Sequence, residues 1–352
     1  MLLPVANTPL LDWTLEKLAK NKVKKTILAV NYMADAFIKR YGKKAYGMKM
    51  FYSRDIRPVS SETLPTFQRL GTGGSIKRAE KLIGYKESFL VLNGDILTNI
   101  NYAEFMKRHK ASGATATIAL YEVEDPSRYG VVELTNERRI VRFVEKPTRE
   151  EAPSNLVNAG IYALNPEIFD YIPRGHPVSI EHEIFPKLAE EEKLHGYNFQ
   201  GYWTDIGEPS DYLKANQLLL DMEIKKEKLS KNAALWSETE IHKPCIIGEN
   251  VTTGSKSKIG PYAAIGENVI VGKGVLIENS IIFPRTIISD FSSIKGAIIG
   301  EALIIGRRVK IESGCIVGDH AMIQDNVTLT QGVSVCPSKE VTESVLTPKC
   351  LM

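Results

Sequence analysis

A six-residue apolar repeat in the last third of the chain constrains the fold more than any other feature. Eleven of its twelve positions are Ile, Val or Leu, and glycine follows directly in eight cases. In an average chain, apolar types fill only about half of all positions and glycine about 7%. Hexapeptide repeats of this kind predict a parallel β-helix, in which each coil buries aliphatic residues against the next coil. The positions are Ile247, Thr253, Ile259, Ile265, Val271 and Ile277, then Ile299, Ile305, Ile311, Val317, Ile323 and Leu329.

The repeat loses its phase once, between Ile277 and Ile281, where we expect an irregular coil or a loop. A β-helix folds as its own unit, so the residues before it need a separate explanation. There, short runs that are apolar on both faces alternate with segments of helical spacing, which predicts an α/β domain with a parallel sheet. The expected division is an α/β domain over 1–222, a helical linker over 223–238, the β-helix over 239–336 and a tail over 337–352.

Composition argues against several classes of protein. A net charge of +3 over 352 residues gives no reason to expect nucleic-acid or membrane binding. No apolar stretch approaches the ~18 residues that a membrane span needs, and the six histidines lack metal-ligand spacing. The four cysteines lie far apart in a chain without an export signal, so we expect reduced thiols and a cytoplasmic location. They are Cys245, Cys315, Cys336 and Cys350.

Two carboxylates follow predicted strands. Asp95 comes after the apolar run that ends at Leu92, and Asp205 follows Trp203-Thr204. In open α/β sheets, ligands bind at the carboxyl ends of strands, and Mg²⁺ prefers a few hard oxygens together with substrate phosphates. Both residues are therefore candidate magnesium ligands. Asp95 could instead belong to an ordinary turn, since Asn-Gly and Gly-Asp are common turn dipeptides. A lone Asp before a glycine, such as Asp205, is usually structural.

Three further segments could bind a phosphorylated sugar or a base. Glu145 and Lys146 end a predicted strand, where they could hold sugar hydroxyls and a phosphate, although an isolated Glu-Lys is more often a surface ion pair. Asn158-Ala159-Gly160 offers an amide and a close backbone approach. Leu70-Gly71-Thr72-Gly73-Gly74 opens a predicted helix, where bare backbone amides can approach a base or a phosphate. A glycine cluster alone is a weak signal.

Together and in this order, these segments resemble the sugar-1-phosphate nucleotidyltransferases, also called NDP-sugar pyrophosphorylases. The resemblance includes Tyr129-Gly130-Val131 and Ser179-Ile180-Glu181. Near the end of the chain, Val335-Cys336-Pro337-Ser338-Lys339 is similar to the closing segment of the mannose-1-phosphate guanylyltransferase-like branch. The resemblance implies a Rossmann-like transferase domain, a left-handed parallel β-helix and dependence on Mg²⁺. It also implies an NTP and a sugar 1-phosphate as substrates, without distinguishing which ones.

The resemblance implies a role for each motif. Asp95 and Asp205 would hold the metal, and with Lys146 they form the expected catalytic set. The expected substrate-binding residues are Gly71, Thr72 and Gly73 beside the base, Gly130, Glu145 and Asn158 around the sugar phosphate, and Gly160. We expect the β-helix to support a homo-oligomer, because its coil ends and flat faces suit symmetric contacts.

The start of the chain departs from the family pattern. The family begins with a buried strand and a glycine-rich loop, roughly G-G-x-G-T-R, that cradles the triphosphate. This chain opens at Met1-Leu2-Leu3-Pro4-Val5, which matches the residues just after that loop. We expect the natural protein to begin further upstream, and the chain without the loop to have severely reduced activity.

Two other functions are compatible with these motifs. The first is a non-catalytic, sugar-nucleotide-binding regulatory subunit, which the absent loop favours and the pair Asp95 and Asp205 disfavours. The second is a bifunctional enzyme whose β-helix also transfers acyl groups. That activity usually requires a histidine in the coils, and only His242 and His320 lie there.

Overall fold

The computed structural model describes residues 1–30, 33–54, 56–59, 66–223, 234–235 and 238–352. The chain divides into two compact units, one formed by Leu11–Asp205 and the other by Met1–Leu10 together with Ile206–Met352. Most of the linker predicted over 223–238 lies outside the described residues. Among the residues that are described, no helix has the length and apolar character needed to cross a membrane.

Some of the helical segments begin at a capping side chain. In α5, for example, Oδ1 of Asn101 accepts a hydrogen bond from the backbone N–H of Glu104 at 3.1 Å, and Gly113 ends the helix in a left-handed conformation. The described helices are α1 (Leu10–Lys20), α2 (Ala34–Tyr41), α3 (Gly71–Arg78), α4 (Glu80–Ile83), α5 (Tyr102–Ser112), α6 (Ile168–Tyr171), α7 (Phe185–Glu190) and α8 (Pro209–Glu223), with a π-helical segment at Ile180–Ile184.

The strands before the β-helix are mostly short. They are β1 (Pro4–Val5), β2 (Thr8–Pro9), β3 (Lys25–Val30), β4 (Lys44–Ala45), β5 (Met48–Arg54), β6 (Ile56–Val59), β7 (Thr66–Arg69), β8 (Phe89–Leu92), β9 (Ile96–Thr98), β10 (Ala116–Glu122), β11 (Gly130–Leu134), β12 (Ile140–Glu145), β13 (Leu156–Leu164), β14 (Leu194–Asn198) and β15 (Trp203–Asp205).

The main sheet of the Leu11–Asp205 unit is built around β13. This strand pairs antiparallel with β8, β10 and β11, while β12 extends the sheet beyond β11 and β14 runs parallel to β10. The expectation of a parallel sheet is therefore wrong here, although β3 and β5 do pair in parallel. The sequence patterns did not predict β13, because Asn158 and Gly160 weaken its strand signal. The antiparallel pairs that β13 forms were therefore not expected.

The second unit contains the predicted parallel β-helix, and all twelve positions of the hexapeptide repeat are buried in it. Three parallel sheets run along the β-helix, with the strand orders β16-β19-β22-β25-β28-β31, β17-β20-β23-β26-β29-β32-β34 and β18-β21-β24-β27-β30-β33. Their bounds are β16 (Glu240–Ile241), β17 (Cys245–Ile247), β18 (Thr252–Thr253), β19 (Lys258–Ile259), β20 (Ala263–Ile265), β21 (Ile270–Val271), β22 (Leu276–Glu278), β23 (Ile281–Ile282), β24 (Ile287–Ile288), β25 (Ser293–Lys295), β26 (Ile298–Ile299), β27 (Ile304–Ile305), β28 (Lys310–Ile311), β29 (Ile316–Val317), β30 (Met322–Ile323), β31 (Thr328–Leu329), β32 (Ser334–Val335), β33 (Glu340–Val341) and β34 (Cys350–Leu351).

The phase slip in the repeat does not produce a loop. Ile259 pairs with Ile277, eighteen residues on, whereas Ile277 pairs with Ile294, seventeen residues on. A single residue is missing from the corner between β22 and β23, and another from the corner between β25 and β26, where Ile294 is followed by Ile299 as the next inward position. The parallel ladders continue through both deletions, because a corner can shorten without changing which side chains point inward.

Candidate functional site

Asp95 and Asp205 lie at the same end of a two-stranded sheet. β9 begins directly after Asp95 and pairs antiparallel with β15, so that Ile96 is opposite Asp205. Ile96 is buried, whereas Asp95 is exposed and Asp205 is half-buried. The pairing thus places Asp205 opposite the residue that follows Asp95, although the two aspartates are far apart in the sequence.

The middle of β13 contacts the segments on which both carboxylates lie. The backbone N–H of Asn93, two residues before Asp95, donates to the carbonyl of Gly160 at 2.8 Å. Gly160 has a φ of +68°, and a Cβ there would lie 2.8 Å from Nδ2 of Asn93, so only glycine fits without a shift. The indole N–H of Trp203 donates to the carbonyl of Ala159 at 2.9 Å. The two contacts hold the segment before β9 against Gly160 and β15 against the neighbouring residue, Ala159.

Gly130 and Glu145 are opposite one another in the pairing of β11 with β12. A Cβ on Gly130 would lie 2.5 Å from Oε2 of Glu145, so the glycine leaves room for the carboxylate. The next residue, Lys146, has a φ of +48°, which is uncommon for a residue with a side chain. Its backbone N–H donates to the carbonyl of Tyr129 at 3.0 Å, and its side chain is exposed.

The carboxyl group of Glu145 lacks a partner on one side. Oε2 is buried and has no hydrogen-bond partner among the residues that the structure describes. Burial raises the pKa of Glu145, and the negative charge of Glu181 raises it further, whereas His182 and Lys146 act in the opposite direction. A buried acceptor without a donor is unfavourable, and a ligand hydroxyl would satisfy it.

The glycine segment at the start of α3 packs against the backbone of Val178. The carbonyl of Val178 accepts the N–H groups of Gly73 at 2.9 Å and Gly74 at 3.2 Å, and its own N–H donates to the carbonyl of Leu70 at 2.9 Å. Gly71 has a φ of +73°, and a Cβ there would lie 2.5 Å from the Val178 carbonyl oxygen. The close approach of the two backbones therefore requires glycine at position 71.

A hydrogen-bond chain joins the glycine segment to β13. The hydroxyl of Thr72 donates to Oε2 of Glu181, and the hydroxyl of Tyr162 donates to Oε1 of the same carboxylate at 3.1 Å. The amide of Asn158 donates to the Tyr162 hydroxyl at 3.0 Å and accepts the N–H of Gly160 at 2.9 Å. Residues predicted from two separate motifs, 70–74 and 158–160, are thus connected through Tyr162 and Glu181, which were not predicted as site residues.

Glu181 and Tyr162 are absent from the site residues predicted above. The Ser179-Ile180-Glu181 motif contained a signal for Glu181, since a carboxylate in a motif shared with a family is a candidate ligand. No local signal distinguishes Tyr162, which is 1% exposed and would be read as a core residue. Burial raises the pKa of Tyr162 well above its usual value, and Glu181 adds to this effect. Its hydroxyl therefore stays protonated and remains a donor.

Asp95 and Asp205 are the residues that would hold a divalent metal together with substrate phosphates. In the described ranges, no group of three or more His, Cys, Asp or Glu side chains could hold a metal by itself. Magnesium, however, usually takes one or two protein carboxylates and fills its remaining positions with water and substrate phosphates. The two oxygen-bearing side chains at one end of the β9–β15 pair, Asp95 and Asp205, match that requirement.

Solved structures share the fold of the first part of the chain. A UDP-glucose pyrophosphorylase in complex with UDP-glucose has a TM-score of 0.53 at 22% identity, covering 63% of this chain and 90% of its own. A Bacillus anthracis structure assigned as a glucose-1-phosphate thymidylyltransferase has a TM-score of 0.51 at 24% identity, covering 62% and 85%. These likenesses show a Rossmann-like fold.

Sequence comparison identifies the family. Residues 1–222 match the Nucleotidyl transferase family model, and residues 240–351 match the GMPPB C-terminal domain model. A mannose-1-phosphate guanyltransferase from Aspergillus oryzae is 34% identical, and one from Yarrowia lipolytica is 36% identical. In both cases the match covers 100% of this chain and 93% of the relative. The chain belongs to the nucleotidyl transferase family, whose members typically need a divalent metal.

Proposed function

We propose that this enzyme transfers a nucleotidyl group from an NTP to a sugar 1-phosphate, with GTP and mannose 1-phosphate as the substrate pair. A phosphate oxygen of the sugar 1-phosphate attacks the α-phosphorus of the NTP in line. A new P–O bond forms, the bond from the α-phosphorus to the bridging oxygen breaks, and pyrophosphate leaves. The names of the relatives support this choice of substrates, since they are mannose-1-phosphate guanyltransferases that match the entire chain.

The observation that supports this proposal best is the register of β9 with β15, in which Ile96 is opposite Asp205. It puts two carboxylates at one strand end, where a Mg²⁺ ion bound with the NTP would neutralise phosphate charge. In this proposal Asp95 and Asp205 hold the metal and Lys146 holds the phosphate of the incoming sugar. Positioning and charge neutralisation supply most of the rate in reactions of this type.

The remaining residues would bind the two substrates. We assign Gly71, Thr72 and Gly73 to the base, because backbone amides at the start of α3 can approach a flat ring closely. Glu145 would accept a sugar hydroxyl at Oε2, the buried oxygen for which the described part of the chain provides no donor. Gly130, Asn158 and Gly160 would line the same pocket: Gly130 leaves space for Glu145, and Asn158 is oriented by Tyr162.

The proposal is tested by measuring pyrophosphate release with Mg²⁺, a panel of NTPs and a panel of sugar 1-phosphates. Calorimetric binding of GDP-mannose and other NDP-sugars is measured in parallel. The expected result is the highest kcat/KM with GTP and mannose 1-phosphate. A different preferred pair would overturn the substrate assignment alone. NDP-sugar binding without turnover would favour the regulatory subunit, and absence of both would contradict the proposed activity.

We also propose that one face of the β-helix mediates self-association of the subunits. Four large apolar side chains stack in register along the β21–β24–β27–β30 ladder and point outward. They are Ile270, Ile287, Ile304 and Met322, which are 48%, 38%, 43% and 37% exposed. A continuous apolar row on a flat sheet is the kind of surface that subunit contacts bury.

We propose a separate function for each of the predicted segments of the chain. Residues 1–222 would form the catalytic domain, and residues 223–238 would link it to the β-helix. Residues 239–336 would support the association of subunits, and residues 337–352 would close the β-helix. We further propose a cytoplasmic location, because Cys315, Cys336 and Cys350 are free thiols. Free thiols are the usual state of cysteine in a reducing compartment.

A further inference from the structure

A second pocket lies on the Leu11–Asp205 unit, apart from the residues assigned above. Its volume is about 350 Å³, within the range of small-molecule sites. One wall is formed by the C-terminal half of α3 and the start of α4, and the other by the loop Pro173–His176. None of the predicted catalytic or substrate-binding residues lines it.

The pocket has a strong excess of positive charge. Lys77, Arg78, Lys81 and Arg174 line it together with His176, whereas Glu80 is its one acidic lining residue among those described. Glu80 is buried, and its two oxygens bind Lys77 at 3.0 Å and Arg174 at 2.9 Å. The carboxylate therefore holds together two cations from opposite walls.

Two cations of this pocket remain available to a ligand. Arg78 and Lys81 are exposed, and within the described ranges neither has an acidic partner. A cavity with several converging cations favours an anion that has more than one oxygen, and phosphate groups are the ligands that such cations recognise best.

The pocket is connected to the glycine segment by backbone hydrogen bonds. Val178 lies two residues after His176, and it exchanges hydrogen bonds with Leu70, Gly73 and Gly74. Leu70 and Gly74 also line the pocket itself. These hydrogen bonds connect the loop 173–176 to the start of α3, which the proposed function places beside the nucleotide base.

We propose that this pocket binds a small phosphorylated anion and that its occupancy changes the affinity of the enzyme for the NTP. Phosphate binding as such is independent of the proposed function, whereas the effect on the NTP rests on it.

The binding test uses inorganic phosphate as the probe and calorimetry as the readout. Arg78→Ala combined with Lys81→Ala removes two cations three positions apart on the pocket wall. Lys107→Ala combined with Lys110→Ala is the matched control, because these exposed lysines have the same spacing on α5. We expect saturable binding that weakens at least tenfold in the first double variant and is unchanged in the control and in Asp95→Asn. Binding that does not saturate, or that survives in the first double variant, would overturn the site.

The coupling test is the KM for GTP with and without phosphate. We expect phosphate to change this KM in the wild type and in the Lys107/Lys110 control, but not in the Arg78/Lys81 variant. An unchanged KM in the wild type, despite measurable phosphate binding, would refute the effect on the nucleotide. If the enzyme shows no turnover at all, the calorimetric result still decides whether the anion site exists.

A separate observation concerns two thiols at the end of the β-helix. The sulfur atoms of Cys336 and Cys350 are 3.9 Å apart, and the backbone N–H of Cys336 donates to the carbonyl of Leu351 at 2.9 Å. β34, which contains Cys350, pairs in parallel with β32 and is the last strand of its sheet. Cys350 is exposed, so its thiol is accessible to an oxidant.

We infer that Cys336 and Cys350 form a reversible disulfide that fastens β34 to β32 under oxidising conditions. With oxidised glutathione as the oxidant, the thiolate of Cys350 attacks the glutathione disulfide and releases one reduced glutathione. The thiolate of Cys336 then attacks the mixed disulfide and releases the second. Two electrons pass to glutathione, and each cysteine loses its proton.

The test is incubation with oxidised glutathione, followed by mass spectrometry of non-reduced peptides. We expect a cross-linked Cys336–Cys350 peptide, and a thermal unfolding midpoint that rises on oxidation in the wild type and in Cys245→Ser. Cys350→Ser should show neither change. Glutathione adducts without the cross-link, or a cross-link between other cysteines, would overturn the inference.

Discussion

The phenolic hydroxyl of Tyr162 donates a hydrogen bond to Oε1 of Glu181 at 3.1 Å. Tyr162 lies on the central strand β13, whereas Glu181 lies in the π-helical segment that precedes α7. The other oxygen of Glu181 accepts the hydroxyl of Thr72. One carboxylate therefore connects the segment that we assign to the base with the strand that we assign to the sugar, and the predictions below test this arrangement.

Replacing Tyr162 with Phe should weaken both the fold and sugar binding. The change leaves Oε1 of Glu181 and the amide of Asn158 without their buried partner, which costs about 1–3 kcal/mol. We expect a lower unfolding free energy in denaturant titrations and a raised KM for the sugar 1-phosphate. Tyr171→Phe is the control, because its hydroxyl binds Glu191 at an exposed position. Equal effects of the two variants on KM would argue against the connection.

Gly160→Ala should destabilise the protein more than Gly113→Ala does. Both glycines have nearly the same positive φ, +68° and +69°, but a Cβ at Gly113 would meet nothing within 4 Å. The shared backbone strain costs about 1 kcal/mol. At Gly160 the clash with Asn93 should add about 1–3 kcal/mol and reduce turnover. Chemical denaturation of both variants measures the difference, and equal losses would contradict the close packing of Gly160.

Asp95→Asn and Asp205→Asn should each reduce kcat by about 100-fold or more, because charge stabilisation at the phosphate is lost. Residual activity should need a higher Mg²⁺ concentration, and chelation with EDTA should abolish turnover of the wild type reversibly. Asp170→Asn, at an exposed position on α6, is the matched control. The readout is pyrophosphate release as a function of Mg²⁺ concentration. An unchanged Mg²⁺ dependence in both variants would remove these carboxylates from the metal site.

Glu145→Gln should stabilise the protein at neutral pH and have little effect under acidic conditions. Burial, together with Glu181, raises the pKa of Glu145 in the folded state above its unfolded value. The protonated carboxyl therefore favours folding below the unfolded pKa, and this contribution is lost as the pH rises through the folded pKa. We expect a gain of about 1–3 °C in the thermal midpoint at pH 8 that disappears near pH 4. A gain that is independent of pH would point to packing instead of charge.

Ile287→Glu should disrupt the self-association that we propose for the β-helix. The new charge would lie in the middle of the outward apolar ladder, between Ile270 and Ile304. Gln331→Glu, which adds the same charge at an exposed corner, is the control. Light scattering with size-exclusion chromatography should show a smaller species for the first variant alone. A wild type that is monomeric throughout would refute the proposed interface.

The β-helix was predictable because its order is local and repetitive. Each coil packs only on its neighbours, so a six-residue spacing of Ile, Val and Leu determines both the strand positions and the inward direction of the side chains. Even so, the periodicity did not show how the phase slip is accommodated. Two single-residue corner deletions preserve the stacking, and this depends on the register between coils.

The sequence by itself determined the α/β class, the β-helix and the motifs that contain Asp95, Glu145, Asn158 and Asp205. The tertiary structure alone decided that β13 is central, that Ile96 is opposite Asp205, and that Tyr162 and Glu181 connect separate motifs. Sheet pairing and side-chain hydrogen bonds join residues that are distant along the chain. No local pattern specifies them, because each depends on how the whole sheet is assembled.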